Sequence, residues 1–219
     1  MKMEELLYEK IWNRKELDGS APRVDVGSRI DVALKIDRGG HRLLDIGCGD
    51  GTLGYFAKEK YKEVYGVDIV EGALEIARKR GLTTIRVNLN EEKLPFDEQF
   101  FDTVTCLDVI EHIFDPRNLI KEISRVLKTE GIAIISSPNT RHLSRVLSLL
   151  VKGRFPKTSG DEEGYDGGHI HYFTYKDLEA LLEQNGFEVL GKYGVFGKNF
   201  LKEFRSPGIV IKARKQQRC

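Results

Sequence analysis

Two sets of residues in this chain have types and spacings that could do chemistry. The first is Leu43-Leu44-Asp45-Ile46-Gly47-Cys48-Gly49-Asp50-Gly51, an apolar run that passes directly into closely spaced glycines. Glycines beyond the carboxyl end of a strand let backbone approach a ligand closely, and a nucleotide-shaped pocket is the usual result. The second set is His112, His169 and His171, with Glu111 and Asp166 near them in sequence. Imidazole titrates close to neutrality, so these histidines are candidates for taking a proton from a bound acceptor. One set implies a cofactor, the other a reaction on a second ligand.

The glycines satisfy two readings. Gly49, Gly51 and Gly54 fit the spacing of a dinucleotide fingerprint, whereas Asp45 ahead of Gly47-Cys48-Gly49 suits S-adenosylmethionine. Asp68, ending the next strand, is placed to accept from ribose hydroxyls, which either adenosine cofactor carries. Asp45 separates the readings, because a carboxylate there attracts an ammonium group and repels a pyrophosphate. Asp50 puts a second carboxylate into the loop that would cradle phosphates. Electrostatics favour a donor without phosphate. A nicotinamide-dependent oxidoreductase and a ligand-free tight turn stay open as alternatives.

The elements that must position these residues alternate between β and α periodicity. Arg42 to Gly47, Val64 to Ile69, Thr84 to Leu89, Phe101 to Leu107 and Ile132 to Ser136 read as strands. Thr52 to Lys60, Gly72 to Arg80 and Arg117 to Leu127 read as the helices crossing between them. This pattern predicts an α/β doubly wound, mostly parallel sheet covered on both faces. A helix over Thr174 to Asn185 follows a Thr N-cap, and strands over Phe187 to Tyr193 and Ile209 to Ala213 would form an antiparallel C-terminal hairpin, bringing the sheet to seven strands. Ahead of the sheet, Met1 to Leu17 has helical periodicity on Leu6, Leu7, Ile11 and Trp12. Asp18-Gly19-Ser20-Ala21-Pro22 breaks it, and Ser28 to Ile36 resumes a helix. Residues 1–38 are expected to pack on the core as a helical extension of the domain formed by residues 39–219.

Bulk properties narrow the class. A length of 219 residues with 40% hydrophobic content suits one substantial core. A net charge of +1 argues against wholesale nucleic-acid binding. Cys48, Cys106 and Cys219 are far apart and odd in number, so neither a disulfide framework nor a zinc site is indicated, and a reducing cytoplasm is expected. No apolar run approaches the roughly 18 to 20 residues of a membrane span, and the acidic N-terminus lacks the order of a signal peptide.

An ordered series of motifs carries a resemblance. Asp45-Ile46-Gly47-Cys48-Gly49-Asp50-Gly51 is followed by Gly66-Val67-Asp68, Leu94-Pro95-Phe96, Phe101-Asp102-Thr103-Val104, Val109-Ile110-Glu111-His112, and Arg125-Val126-Leu127 before Gly131. Over roughly Leu43 to Gly194 the chain resembles class I S-adenosylmethionine-dependent methyltransferases of the group that includes ubiquinone-biosynthesis O-methyltransferases. The resemblance implies a Rossmann-like methyltransferase fold. It also implies that Gly47 and Gly49 pass under the methionine part of the donor, with Cys48 between them counted among the donor-binding residues, that Asp68 holds the ribose, and that Ile69 lies beside the adenine. Asn88 stands where the family usually has Asp, its amide oxygen able to accept from the adenine amino group, with the Leu89 backbone beside it. Cys106, Leu107 and Asp108 would lie near the sulfonium, although Cys106 also reads as a core thiol. Arg29 is the candidate partner of the donor carboxylate, with Arg23 as the alternative.

Methyl transfer from a sulfonium mainly needs alignment of nucleophile, methyl carbon and sulfur, and a base adds to it where the acceptor is a hydroxyl. His112 resembles the histidine of the family's Glu-His pair. His169 and His171 would share one side of an extended segment. Glu111 with His112, or Asp166 with His169 and His171, also offers metal-ligand types, but the transfer needs no metal and none is assigned. The insertion over about 139–172 is too long for a simple connection and reads as a lid or substrate platform. In it Leu143, Val146, Leu147 and Leu150 form a helical stripe among Arg141, Arg145, Lys152 and Arg154. That stripe is expected to pack on the core, with contact to a partner or to a membrane bearing a lipid-linked acceptor as alternatives. No Asn-Pro-Pro-Tyr or Asp-Pro-Pro-Tyr follows the fourth strand, which by the resemblance turns away from nucleic-acid amino groups and toward a small-molecule acceptor, with oxygen the favoured atom. The further rival is a non-catalytic chain that keeps the cofactor and acts through a partner protein.

Overall fold

The computed structural model describes residues 3–13, 21–160, 164–197 and 200–217. One seven-stranded sheet is built from β1 (Gly40–Ile46), β2 (Tyr61–Asp68), β3 (Thr83–Arg86), β4 (Phe101–Leu107), β5 (Leu127–Pro138), β6 (Phe187–Gly194) and β7 (Gly208–Lys215), in the order β3-β2-β1-β4-β5-β7-β6. The first five strands pair in parallel, and β7 runs antiparallel between β5 and β6. The doubly wound sheet and its antiparallel hairpin are those the periodicity predicts.

The described helices are α1 (Met3–Asn13), α2 (Arg29–Ile36), α3 (Thr52–Ala57), α4 (Glu71–Lys79), α5 (Pro116–Val126), α6 (Leu143–Lys152), the kinked α7 (Gly164–Gly167), α8 (Tyr175–Glu183) and α9 (Lys202–Arg205), with a 3-10 turn over Ile110–His112. Side chains alternate across a strand, so Leu44 and Ile46 enter the core under α5 and α8, while Leu43 enters the opposite core with Ala33 of α2, Leu53 and Ala57 of α3 and Ala77 of α4. With both faces covered, β1 can end in four consecutive buried residues, Leu43 to Ile46.

The ends of these elements set the site. β3 stops at Arg86, short of the predicted Leu89, because Asn88 turns the chain and its carbonyl accepts from both Glu91 and Glu92. β5 starts earlier than predicted: Leu127 closes α5 and opens the strand at once. The two ends of the insertion meet where Asn139, just past β5, bridges to Phe173, just before the Thr174–Asp177 capping box that starts α8. Of the predicted first helix, Met1, Lys2 and Arg14 to Leu17 lie outside the described residues, as does the break at Asp18 to Ser20.

The expectation for the insertion's apolar stripe is not met. No residue of α6 is buried, and Leu143, Leu147, Leu150 and Val151 are exposed. The helix is held instead by its polar side. Arg145 donates to the carbonyls of Asn139 (2.6 Å), Pro207 (2.9 Å) and Thr158 (3.2 Å), and the Arg141 guanidinium sits 4.4 Å above the Phe204 ring. A guanidinium with several fixed donors anchors a helix without any leucine facing inward. No helix among the described residues is long and apolar enough to cross a membrane.

Candidate active site

A cavity of roughly 490 Å³ opens at the carboxyl ends of β1, β2 and β4, a size suited to a small-molecule ligand. Arg29, Gly47, Asp68, Ile69, Asn88, Leu89, Leu107 and Asp108 line it, together with His112 and His169. The fold thus brings eight of the eleven predicted donor residues and two of the three histidines to one cavity. Asp45, Cys48, Gly49 and His171 do not line it, and neither does Arg23, which is exposed.

The glycine loop is shaped by its backbone. Gly47 has φ +68°, and a Cβ there would lie 2.2 Å from Cγ2 of Val109, so a side chain is excluded on both counts. Its N–H and that of Cys48 both donate to the carbonyl of Val67, which turns the loop over the end of β2. Asp68 closes the turn from the other side, one carboxylate oxygen accepting from Gly49 (2.9 Å) and the other from Val70 (3.0 Å). Asp68 thus fixes the loop from the end of β2, on the cavity wall where the ribose is expected. The Cys48 thiol turns inward under Gly66, and burial pushes its pKa well up. It is a core group, as is the fully buried Cys106.

Asn88 departs from expectation in an informative way. Its Oδ1 accepts from the Asn90 N–H (3.0 Å), while its buried Nδ2 has no partner among the described residues. The side chain therefore offers the ligand a donor, where the sequence suggested an acceptor. An orphaned buried donor on a cavity wall is costly unless a ligand meets it, and a ring nitrogen of an adenine would do so. Arg29 pairs with Asp108 at 3.1 Å, so it stands at the cavity already held by a carboxylate. Asp108 adopts φ +53° and is fixed through Ser136, whose hydroxyl donates to it at 2.5 Å.

Two carboxylates decide what the loop repels. Asp45 lies buried beneath the loop and accepts from the Thr105 hydroxyl at 2.7 Å; burial raises its pKa to about 7, against the lowering effect of that hydrogen bond. Asp50 acts differently from expectation. Arg80 neutralises its charge at 2.6 Å, and its Oδ1 accepts from the first N–H of α3 at Thr52 (3.1 Å). It thereby occupies one of the N–H groups at the start of α3 that a phosphate would otherwise use.

The histidines are ordered by the insertion. Nδ1–H of His112 donates to the Gly168 carbonyl at 3.1 Å, which leaves Nε2 as the acceptor. Burial and then the neighbouring His169 lower its pKa to about 4, so the ring is neutral near neutral pH. His169 donates from Nδ1 to Thr158 Oγ1 (2.6 Å), whose hydroxyl donates on to Asp166 (2.9 Å). Burial raises the Asp166 pKa, but the Ser159 and Thr158 N–H groups and the Thr158 hydroxyl outweigh it and hold Asp166 ionised. The extended geometry expected for His169 to His171 is absent, since the N–H groups of Ile170 and His171 both reach the carbonyl of Glu111, and the His171 ring lies beside Phe173. Neither Glu111 carboxyl oxygen has a hydrogen-bond partner among the described residues; burial, then the charge of Asp108, raises its pKa well above the ordinary value. Glu111, His112 and His169 bring three potential ligand atoms within 4.8 Å of one another. His112 and His169, both with pKa lowered first by burial, form the polar end of the cavity, and Glu111 lies buried behind them.

Sequence reasoning missed Tyr8, Ile11 and Trp12 of α1 and Thr158, Ser159 and Gly160 of the insertion, all of which line the cavity. Only the capacity of Ile11 and Trp12 to share a helix face was visible in advance, and a helix face does not say what it faces.

A doubly wound sheet with a glycine-rich loop after β1 and an acidic residue ending β2, both on one cavity, has the architecture of α/β enzymes that use a nucleoside cofactor. Residues 21–192 match the family model described as a methyltransferase domain, and the chain belongs to that family of S-adenosylmethionine-dependent methyltransferases. It is 29% identical over 174 residues to a ubiquinone biosynthesis O-methyltransferase from Hydrogenovibrio crunogenus, covering 74% of this chain and 68% of the relative. It is 35% identical over 116 residues to the enzyme of that name from Alkalilimnicola ehrlichii, covering 51% and 47%. The chain thus spans about half to two thirds of these relatives' length. A Thermotoga maritima structure described as a SAM-dependent methyltransferase, possible histamine N-methyltransferase, shares the fold with TM-score 0.67 at 23% identity, covering 97% and 98% of the two chains.

Proposed function

We propose that this chain transfers a methyl group to an oxygen of a small-molecule acceptor, with His112 as the base. S-adenosylmethionine supplies an electrophilic methyl group on a good leaving group when bound. Gly47, Asp68, Ile69, Asn88 and Leu89 are the residues that would hold it, with Leu107, Asp108 and Arg29 toward its reactive end. The carrying observation is the tautomer of His112, which is tied to Gly168 through Nδ1 and keeps Nε2 for a proton in the cavity that the donor loop lines.

A base with pKa about 4 suits this task. A neutral hydroxyl becomes strongly acidic as its oxygen gains a methyl group, so the proton moves readily to a weak neutral base in the same step. An amine acceptor would form a stable ammonium and would not call for a base at this position. The chain His169 to Thr158 to Asp166 fixes the neighbouring ring and keeps it from turning its donor toward His112. The O-methyltransferase names of the relatives support the same reading.

The test is incubation of the purified chain with methyl-labelled S-adenosylmethionine and a panel of phenols, carboxylic acids and amines. Label in an ether or ester is expected. Label confined to amines would overturn the oxygen assignment, and no label with any acceptor, despite tight donor binding, would favour a non-catalytic role.

A further inference from the structure

Helix α1 lies across the cavity, although the family model begins after it, at residue 21. Its contacts fall on both halves of the site. The Trp12 indole occupies the space above Gly49, where a Cβ would meet its Cζ2 at 2.2 Å. The Tyr8 ring stands edge-on to His112 at 5.6 Å, and Leu7 fills the space over Gly168, the residue that orients His112. Glu5 pairs with Arg86 at 2.9 Å, and Arg86 donates to the Ile69 carbonyl at 2.9 Å, beside the predicted adenine position. Yet no residue from Glu5 to Trp12 is buried. These contacts run along the cavity rim.

We propose that α1 is the outer wall of the active site: Trp12 is a donor-contacting residue and Tyr8 a positioning residue for His112, and α1 docks most firmly when the donor is bound beneath it. This rests on the reading of the cavity as a methyl-donor site. With no residue from Glu5 to Trp12 buried, the helix gains little from the core, and a ligand in the cavity that Tyr8, Ile11 and Trp12 line supplies further apolar contact to it. Coupling of this kind is reciprocal: whatever the donor adds to α1 docking, α1 adds to donor affinity. The closed wall also keeps water from the transfer, which alignment of the reacting atoms requires. Gly49 then has a second cause beyond approach to a ligand, since it is the seat of the indole.

The chain contains one tryptophan, so its intrinsic fluorescence reports on α1 alone. S-adenosylhomocysteine is titrated into the full chain, following Trp12 emission and iodide quenching beside calorimetric binding. The emission shifts and quenching falls, with a midpoint equal to the calorimetric Kd. Trp12→Ala weakens binding about 10-fold or more, and Glu5→Gln weakens it several-fold while the unliganded melting temperature stays unchanged. Tyr8→Ala lowers kcat at unchanged KM for the donor, and Tyr8→Phe restores it. Calorimetric binding without any change in Trp12 emission or quenching, and with full affinity in Trp12→Ala, overturns the inference and leaves the donor site standing. Absence of calorimetric binding overturns the donor reading itself.

Discussion

Replacing Asp45 with Asn should make the unliganded protein more stable at pH 8 and less able to bind the donor. The carboxyl group has an ordinary pKa of 3.8 and a folded value of about 7, raised by burial against the pull of the Thr105 hydroxyl. Because the folded value is the higher one, the folded chain holds a proton that the unfolded chain has lost between about pH 4 and pH 7. Stability from this group therefore falls as pH rises through that window and is level above it. The gap of about three pKa units, at about 1.4 kcal/mol each, makes a loss of about 4 kcal/mol. Asn keeps the bond from Thr105 and carries no charge, but its buried amide N–H groups cost about 1–3 kcal/mol. The variant should thus be less stable than the parent by about 1–3 kcal/mol near pH 4 and more stable by a similar amount at pH 8. Urea unfolding of both proteins across that range measures this, with other titrating groups cancelling in the difference. On the donor reading, an ionised Asp45 beneath the loop would attract the donor's ammonium through the field rather than by contact, so S-adenosylhomocysteine should bind the variant more weakly at pH 8, where the apoprotein is stabilised. A stability difference that does not change between pH 4 and pH 8 would show that Asp45 ionises normally and would refute the low-dielectric seat assigned to it.

Other expectations follow from the same geometry. Asp68→Ala removes the acceptor for Gly49 and Val70 as well as for ribose hydroxyls, and should weaken donor binding by about 10- to 150-fold in calorimetry, the equivalent of about 1.5–3 kcal/mol. His112→Ala should lower turnover by about 10² to 10⁴ at similar donor affinity; equal donor loss in both variants would contradict their separate roles. With a His112 pKa of about 4 the base is neutral above that value, so kcat at saturating donor, where the Asp45 effect on donor binding drops out, should stay level from pH 8 to about pH 5 and fall below it as the ring protonates. An acid limb centred near 6.5 would mean that the ring is solvated. Leu150→Glu and Val151→Glu replace side chains 75% and 77% exposed and should change unfolding free energy by no more than about 0.5 kcal/mol, whereas a core stripe would lose several.

The sheet was legible because periodicity is a local consequence of burial on one or two faces. Phe101 to Leu107 reads as a strand of the interior and is one, with the bounds predicted. Boundaries slipped where two elements share a residue, as at Leu127, or where a side chain makes the turn, as at Asn88. The stripe on α6 has the pattern of a core face, but pattern alone cannot show whether another element arrives to cover it. Here Arg145 binds three carbonyls of flanking loops, and the leucines are left outward.

The site divides along the same line. The glycine loop and Asp68 interact over about twenty residues through backbone groups, so their sequence nearly contains their geometry. His112 depends on Gly168, and His169 on Thr158 and Asp166, which only the closed insertion brings together. Asp50 shows how a charge counted in the sequence can be neutralised in the fold. As an isolated charge it would repel phosphate, but Arg80 neutralises that charge, and what remains is a carboxylate oxygen already bonded to the N–H that begins α3. Charge count in a loop is visible in sequence; which donor each oxygen has taken is a property of the fold. It is the second fact that decides which N–H groups at the start of α3 remain for a ligand, and the one at Thr52 is already taken.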